Sequence, residues 1–516
     1  MKELQELINI VSIDKLNGAA VLGQSGEEQL EAFYNLLVDD TSIVSDAQAS
    51  RLLLGKPVHH PRYLDLKERL EKRMVDMLFL IDVNQAINNN SSLAYEEALR
   101  LWSAANLMIL HNALRMGLEY AEKSLRLAIR YEHSELVVPI AKLLRKIYAT
   151  YLGNEQQFEY YDELYERYQK ISAAEAQAEL AYQQVLMATA SGNKEAAIAK
   201  IAKDCLGGIT PLLAQYSTCA IHRHVRYVEA IYLLNAGHYQ DLIRQVDTAV
   251  AFFQQKDIDL RDTILGMRYF QLIASIMLQD GEKGLAIWQQ CQSLLGQEIN
   301  ATYFKMHELG LLLLFYTNQY QEAYTLGKTV LNLKQLSQQS CAVQQSWITY
   351  GAYLQYLSVL GEVGFEANDS WAQEFRWRKI LKAVPTFNKA YRNTHVPLLI
   401  IHILYALHQQ NYDLAAERIH TIGRYGSKYL RNDAALRTNC FLHMLQQLIP
   451  AGFHRRATER YVQKFKKRLQ QAPLSMASQP YEIEILPYEL LWDLLMKSLP
   501  QKRVSVRLTG RPARSG

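Results

Sequence analysis

A turn signal recurs along the chain at intervals of 37 to 49 residues. Each signal separates two apolar stretches of helical period. Repeats of this length are typical of stacked helical hairpins, because one hairpin cannot bury its apolar face alone whereas a row of hairpins can. The spacing therefore predicts an α-solenoid of stacked antiparallel helical hairpins. The signals stand at Gly153, Gly192, Gly237, Gly281, Asn318, Gly361 and Gln410.

The composition favours an all-α protein. The 516 residues include only 24 Gly and 12 Pro, too few for the many turns of an all-β chain of this length. The five cysteines are scattered and contain no short CxxC pair, which argues against a disulfide framework or a zinc site. We expect these cysteines to be reduced.

Several turns are followed by the same phrase, with an aromatic residue two positions on and an Ala or Leu three positions further. The clearest unit runs from 311 to 331, with Asn318 at the turn, Tyr320 as the aromatic residue and Ala323 as the small one. Residues 95–425 thus resemble tetratricopeptide repeat proteins, in a degenerate and lengthened form. The stretch from Gly117 to Tyr168 looks like two such helices flanking one turn. The resemblance implies a groove that binds a peptide or protein segment, with Ala323 where the helices of its hairpin come closest.

Local signals place individual helices. Ser45 and Gln48 form a capping box, and a second one starts at Ser25. From Pro61 an amphipathic helix is predicted, and another over residues 451–470. Residues 481–485 alternate in the manner of a strand, and a last helix follows from Pro487 to about Leu499. We therefore predict an acidic amino-terminal helical cap over 1–60, the repeat solenoid over 61–450, a basic carboxyl-terminal cap over 451–500 and a disordered basic tail over 501–516.

Charge is distributed unevenly between the two ends of the chain. Residues 1–50 hold nine acids against two lysines, and residues 451–516 hold thirteen basic residues against five acids, although the whole chain carries only +4. On the predicted helix over 451–470, a basic stripe and an apolar side are expected. The stripe consists of Arg456, Arg460, Lys464 and Lys467, and the apolar side consists of Ala457, Tyr461, Phe465 and Leu469.

Three interpretations of this stripe remain open. It binds an acidic partner, either a protein segment or nucleic acid. Alternatively, the oppositely charged ends attract, within one molecule or between copies. The third interpretation is a solvated cap, since the terminal helix of a solenoid needs a polar outer face.

Catalytic and metal-binding motifs are missing from the sequence. It contains no phosphate-binding loop, nucleophile elbow, HExxH or dinucleotide fingerprint. His222 and His224 should diverge on a helix, whereas His59 and His60 precede Pro61 in a loop and would chelate only weakly. Tryptophans at 288, 347, 371 and 377 are expected to pack in helix seams. We predict a non-enzymatic protein with no cofactor and no metal.

The predicted function is a cytoplasmic scaffold for protein–protein interaction, with a peptide or protein partner. The acidic amino terminus does not look like a secretory signal, and the most apolar stretch, Val396 to Leu407, is too short to span a membrane. The main alternative is a ligand- or peptide-sensing regulator of bacterial type, with an acidic or nucleic-acid partner at the basic carboxyl end. An enzyme without a recognisable motif is the outside alternative.

Overall fold

In a computed structural model of the chain, every regular secondary-structure element among the described residues is a helix. That part comprises residues 4, 7–8, 28–39, 45–78, 90–296, 299–363, 392–429, 436–472, 474 and 484–504. The all-α prediction is confirmed for these residues. Contacts divide the chain into two compact units, Met1–Ser172 and Ala173–Gly516.

The first unit contains six helices among its described residues and the start of a seventh. A π-helical segment, Tyr148–Leu152, lies between α6 and α7. One apolar core joins α1 to α3, and another joins α4, α5, α6 and the start of α7. The helices are α1 (Glu28–Asp39), α2 (Asp46–Leu54), α3 (Pro61–Leu78), α4 (Ser91–Leu110), α5 (Leu114–Arg130), α6 (Ser134–Ile147) and α7 (Glu155–Ala190).

The second unit continues from within α7. Its helices are α8 (Glu195–Ile209), α9 (Leu212–Gln215), α10 (Cys219–Asn235), α11 (Tyr239–Gln254), α12 (Arg261–Met277), α13 (Gly281–Leu294), α14 (Ala301–Tyr316), α15 (Tyr320–Leu331), α16 (Cys341–Val359), α17 (Arg392–His408), α18 (Tyr412–Tyr429), α19 (Leu436–Gln446), α20 (Arg455–Gln471) and α21 (Tyr488–Lys497). A 3₁₀ segment, Lys334–Gln338, precedes α16.

The tight turns between paired helices share one backbone design. At Gly237 the backbone is left-handed with φ 75°, its N–H donates to the Leu234 carbonyl at 3.2 Å, and the N–H of His238 donates to the Leu233 carbonyl at 2.9 Å. This is the Schellman motif, which satisfies the last carbonyls of a helix without any side chain. The same pair of bonds closes the turns at 112, 132, 192, 279, 318, 361, 410 and 452.

Most of the predicted turn residues hold the left-handed position, including Asn318 and Gln410. Gly281 does not, because it is the first residue of α13 and Gln279 is left-handed instead with φ 55°. The turns at Asn112 and Glu132 were not predicted. The prediction of two helices around one turn over 117–168 is therefore wrong, because the turn at Glu132 adds a helix.

The hairpins of the second unit pack in sequence order. Up to residue 363, we call the helices before the tight turns (α7, α10, α12, α14 and α16) the first helices. The helices after these turns (α8, α11, α13 and α15) are the second helices. Each second helix from α8 onward packs against the first helix of the next hairpin. In addition, α10 contacts α12 and α12 contacts α14 directly. The helices α10, α12 and α14 therefore contact one another in chain order.

Several local predictions are also confirmed. Ser45 caps α2 by accepting a hydrogen bond from the Gln48 N–H at 3.4 Å, and Leu66 and Leu70 are buried on α3. The capping box at Ser25, most of the strand-like stretch over 481–485, the tryptophans at 371 and 377 and residues 505–516 lie outside the described residues. The domain boundaries predicted at 60, 450 and 500 stay predictions. None of the helices in the described ranges is long and apolar enough to cross a membrane.

Candidate interaction surfaces

Helix α20 carries the predicted basic stripe, and its sequence explains why it forms. His454 caps its start, because its Nδ1 accepts a hydrogen bond from the Ala457 N–H at 3.2 Å. Thr458, Val462 and Leu469 recur at helical spacing and are buried. The helix begins four residues later than predicted, because the chain first makes the Schellman turn at Gly452.

One predicted anchor of this helix is wrong. Tyr461 is 46% exposed, and the adjacent residue, Val462, is buried in its place. Ala457 and Leu469 are buried and Phe465 packs partly buried against the core, as predicted. The buried side of α20 is therefore rotated from the predicted one, and the tyrosine ring is left among the charged side chains.

The four cations of the stripe are all exposed on α20. Among the described residues, none of Arg456, Arg460, Lys464 and Lys467 has a carboxylate within salt-bridge distance. The guanidinium of Arg460 makes only a long bond, 3.4 Å from Nε to the Arg456 carbonyl. The stripe therefore presents uncompensated positive charge to solvent.

A buried ionic network fastens the end of this helix. Arg437 of α19 is 8% exposed and pairs with Glu484, which is 6% exposed, and with Glu489 at 2.7 Å. Its Nη1 also donates to the carbonyls of Leu469 and Ala472, at 2.9 and 3.1 Å. Burial opposes the charge on Arg437, but the two carboxylates outweigh it and raise the pKa of the guanidinium. The network ties α19, the end of α20 and the start of α21 together.

A second candidate surface lies on the first helices. The ring of Tyr227 on α10 stacks 5.4 Å from Tyr182 of α7 and lies 6.0 Å from Phe270 of α12. Gly266 of α12 makes this possible, because a Cβ there would overlap the Tyr227 hydroxyl. Burial raises the pKa of Tyr227 to about 12.

Aromatic side chains continue this surface on α12 and α16. Tyr269 of α12 lies edge-to-face with Phe270 at 5.8 Å. It also lies close enough to Tyr350 of α16 to contribute to the raised pKa of that tyrosine. Tyr350 in turn donates a hydrogen bond to the carboxylate of Glu308 on α14. We call Tyr182, Tyr227, Tyr269, Phe270 and Tyr350 the aromatic row. All but Tyr350 are half-buried.

His222 and His224 diverge on α10, as predicted. His222 stacks on Phe252 at 3.7 Å, whereas His224 stacks on Tyr182 at 5.7 Å, so the two rings face different neighbours. Burial lowers the pKa of His224 to about 4. His59 and His60 do lie in a loop before α3, where His60 Nδ1 accepts from the backbone of Arg62. Within the described ranges, no three acidic, histidine or cysteine side chains are grouped as a metal site.

Two of the predicted seam tryptophans, Trp288 and Trp347, pack as expected. Trp288 and Trp347 are buried, and Trp288 lies against Gly310 of α14, where a Cβ would overlap its indole ring. These two residues therefore serve the core. The aromatic row was not predicted, because its members are four ordinary tyrosines and one phenylalanine that come together only when α7, α10, α12 and α16 pack.

Comparison with known proteins adds no relative: no protein family, no curated protein and no solved structure matches the chain.

Proposed function

We propose that the second unit is a curved stack of helical hairpins of the tetratricopeptide type, and that it binds an extended peptide or protein segment along its first helices. Direct contacts of α10 with α12 and of α12 with α14 support the curvature, because helices on the inner radius of a curved stack come closest together. The protein is then a non-enzymatic scaffold.

The aromatic row is the observation that carries this proposal. Half-buried rings give large, rigid contact area at low entropic cost, which suits the recognition of a polypeptide. Arg223 adds a half-buried cation on the same helix as Tyr227, and among the described residues it has no acidic partner. An extended segment that crosses several first helices would meet rings along its whole length.

The regulator considered above is a second candidate function, and the exposed cations of α20 favour it. In that case the partner at the basic carboxyl end is the functional one, and the row serves packing. The two functions are distinguished by which substitutions abolish binding, those in the aromatic row or those in the basic stripe of α20.

Peptide selection tests the proposal. Peptides would be selected from a displayed random library on the full chain, and their affinities measured against Tyr182→Ala and Phe270→Ala variants. We expect at least a tenfold loss, since removal of an aromatic hot spot costs about 2 kcal/mol or more. Tyr151→Ala is the matched control, because Tyr151 is an exposed tyrosine of the first unit. Selected peptides that bind all three variants equally would contradict the proposal.

A further inference from the structure

The exposed ring of Tyr461 changes what the basic surface of α20 can recognise. We propose that this surface binds single-stranded nucleic acid, with the cations on phosphates and Tyr461 stacked on a base. The proposal concerns α20 with the adjoining residues 502 and 503, and it is independent of peptide binding by the aromatic row. We define the basic surface as Arg455, Arg456, Arg460, Lys464, Lys467 and Arg468 of α20 with Tyr461, Lys502 and Arg503.

The carboxyl-terminal segment extends the charge of α20. The Val504 N–H donates to the Gly452 carbonyl at 2.9 Å, and the Arg455 N–H donates to the Pro500 carbonyl at 3.1 Å. These bonds hold residues 500–504 against the start of α20, with Lys502 and Arg503 exposed beside it. Lys502 and Arg503 therefore add two cations where the helix begins.

Little negative charge opposes this surface. Glu459 is the one acid in the sequence of α20. The neighbouring acids of α21 are already engaged, Asp493 by Lys466 at 3.6 Å and Glu489 by Arg437. Like charges one turn apart repel by a few tenths of a kcal/mol per pair. A cap that needed only to be polar would not incur this cost, since alternating signs would avoid it.

A ring among cations distinguishes nucleic acid from an acidic peptide. Phosphates require only the positive charge, but single-stranded binding combines a positive path for the backbone with aromatic side chains on which bases stack. Lys464 and Arg468 follow Tyr461 by three and seven residues, so they lie on the same side of the helix. An acidic segment rich in Asp and Glu would be attracted by the cations, but it carries no planar base to stack on the ring.

Stacking also selects a single strand over a duplex. The face of a base is open only when the base is unstacked from its neighbours, as in loops and single strands. From Arg456 to Lys467 the helix rises about 16 Å, roughly the length of four or five stacked nucleotides. The surface is therefore sized for a short run of strand.

Fluorescence anisotropy with the full chain tests the proposal. The probes are a labelled 15-nucleotide oligouridine, the same length of oligothymidine, a duplex of equal length and a polyglutamate peptide. We expect one or both single strands to bind more tightly than the duplex and polyglutamate at about 50 mM salt, with affinity falling steeply as salt rises.

Two sets of variants assign the contacts. The first set is a quadruple variant in which Gln replaces Arg456, Arg460, Lys464 and Lys467. It should weaken binding at least tenfold and reduce the salt slope by about 3, since each phosphate contact on a single strand contributes about 0.7. The control of equal charge change replaces the exposed cations Arg62, Lys72, Lys200 and Lys203 with Gln and should keep the parental affinity. Tyr461→Ala should weaken binding about 5- to 100-fold, and Tyr461→Phe should restore it.

Several results would overturn the proposal. They are the absence of single-strand binding at 50 mM salt, equal or tighter binding of duplex or polyglutamate, an unchanged quadruple variant, or a Tyr461→Ala variant as tight as the parent. Circular dichroism and melting of each variant verify that the fold is retained.

Discussion

Arg437 and the basic stripe of α20 place the same chemical group in opposite surroundings. The guanidinium of Arg437 is buried and fully engaged by two carboxylates and two backbone carbonyls. The guanidinium groups of Arg456 and Arg460 are exposed and lack acidic partners in the described structure. Removing a partner from a buried pair leaves an uncompensated charge, whereas an exposed charge is screened within about 8 Å at physiological salt. The first arrangement serves stability and the second leaves charge free for a partner.

The sharpest way to extend this comparison is to place an unpaired charge in the core. Ala323 on α15 is 0% exposed, as expected of the small residue after the Tyr320 turn. Ala323→Glu should lower the free energy of unfolding by several kcal/mol, since it overpacks the seam and buries a carboxylate. Thr325→Glu, on the exposed side of the same helix, should cost less than about 0.5 kcal/mol. Chemical denaturation measures both, and an Ala323→Glu variant as stable as the parent would show the repeat register to be wrong.

Breaking the buried pair should have the next largest effect. Arg437→Met should lower the free energy of unfolding by about 3–5 kcal/mol, because Glu484 is left buried without its ion-pair partner. The double variant Arg437→Met with Glu484→Leu should recover much of that loss. A single variant that unfolds at the parental denaturant concentration would mean that water already reaches Glu484.

His402 is a third case, a buried polar group without a partner. It is 4% exposed, and neither ring nitrogen is hydrogen-bonded in the described part of the chain. Burial, helped by the charge of Arg418, lowers its pKa to about 4. The unfolded chain therefore binds more protons than the folded one between about pH 6.5 and 4, so this histidine destabilises the fold as the pH falls through that range.

The matching variant is His402→Phe, which removes the titrating group. Relative to the parent, it should gain about 1–2 kcal/mol on going from pH 8 to pH 5. His238→Phe, at an exposed histidine of the α10–α11 turn, should show no such gain. Parallel pH profiles for parent and His402→Phe would exclude His402 as the source.

The smallest effect on stability is expected at the stripe. Replacing Arg456, Arg460, Lys464 and Lys467 together with Gln should change the free energy of unfolding by less than about 0.5 kcal/mol, or raise it slightly as repulsion is relieved. Thermal melting at low and high salt measures this. A loss of more than about 2 kcal/mol would mean that these side chains support the fold.

The sequence predicts features that depend on local chemistry, but it does not predict features that depend on contacts between helices distant in the chain. Gly237 and Asn318 could be found because few residues tolerate a left-handed backbone. Glu132 has the same left-handed backbone conformation, but a glutamate does not indicate it, so the turn at this position was not predicted. Tyr461 and Val462 are adjacent and both apolar enough to anchor α20, and only its packing against α19 and α21 decides between them. The aromatic row depends on three interhelical contacts and leaves no periodic signal.

The Schellman turns fix where this chain can change in length. Each turn is closed by backbone bonds that need an exact count of residues, as at Gly237 and His238, so an inserted residue would break both bonds at once. Connections from a second helix to the next first helix, such as residues 255–260, are not closed by this pair of backbone bonds. Natural insertions, deletions and grafted tags should therefore accumulate in these connections, and an epitope placed at 257 should be accepted where the same epitope at 237 is not.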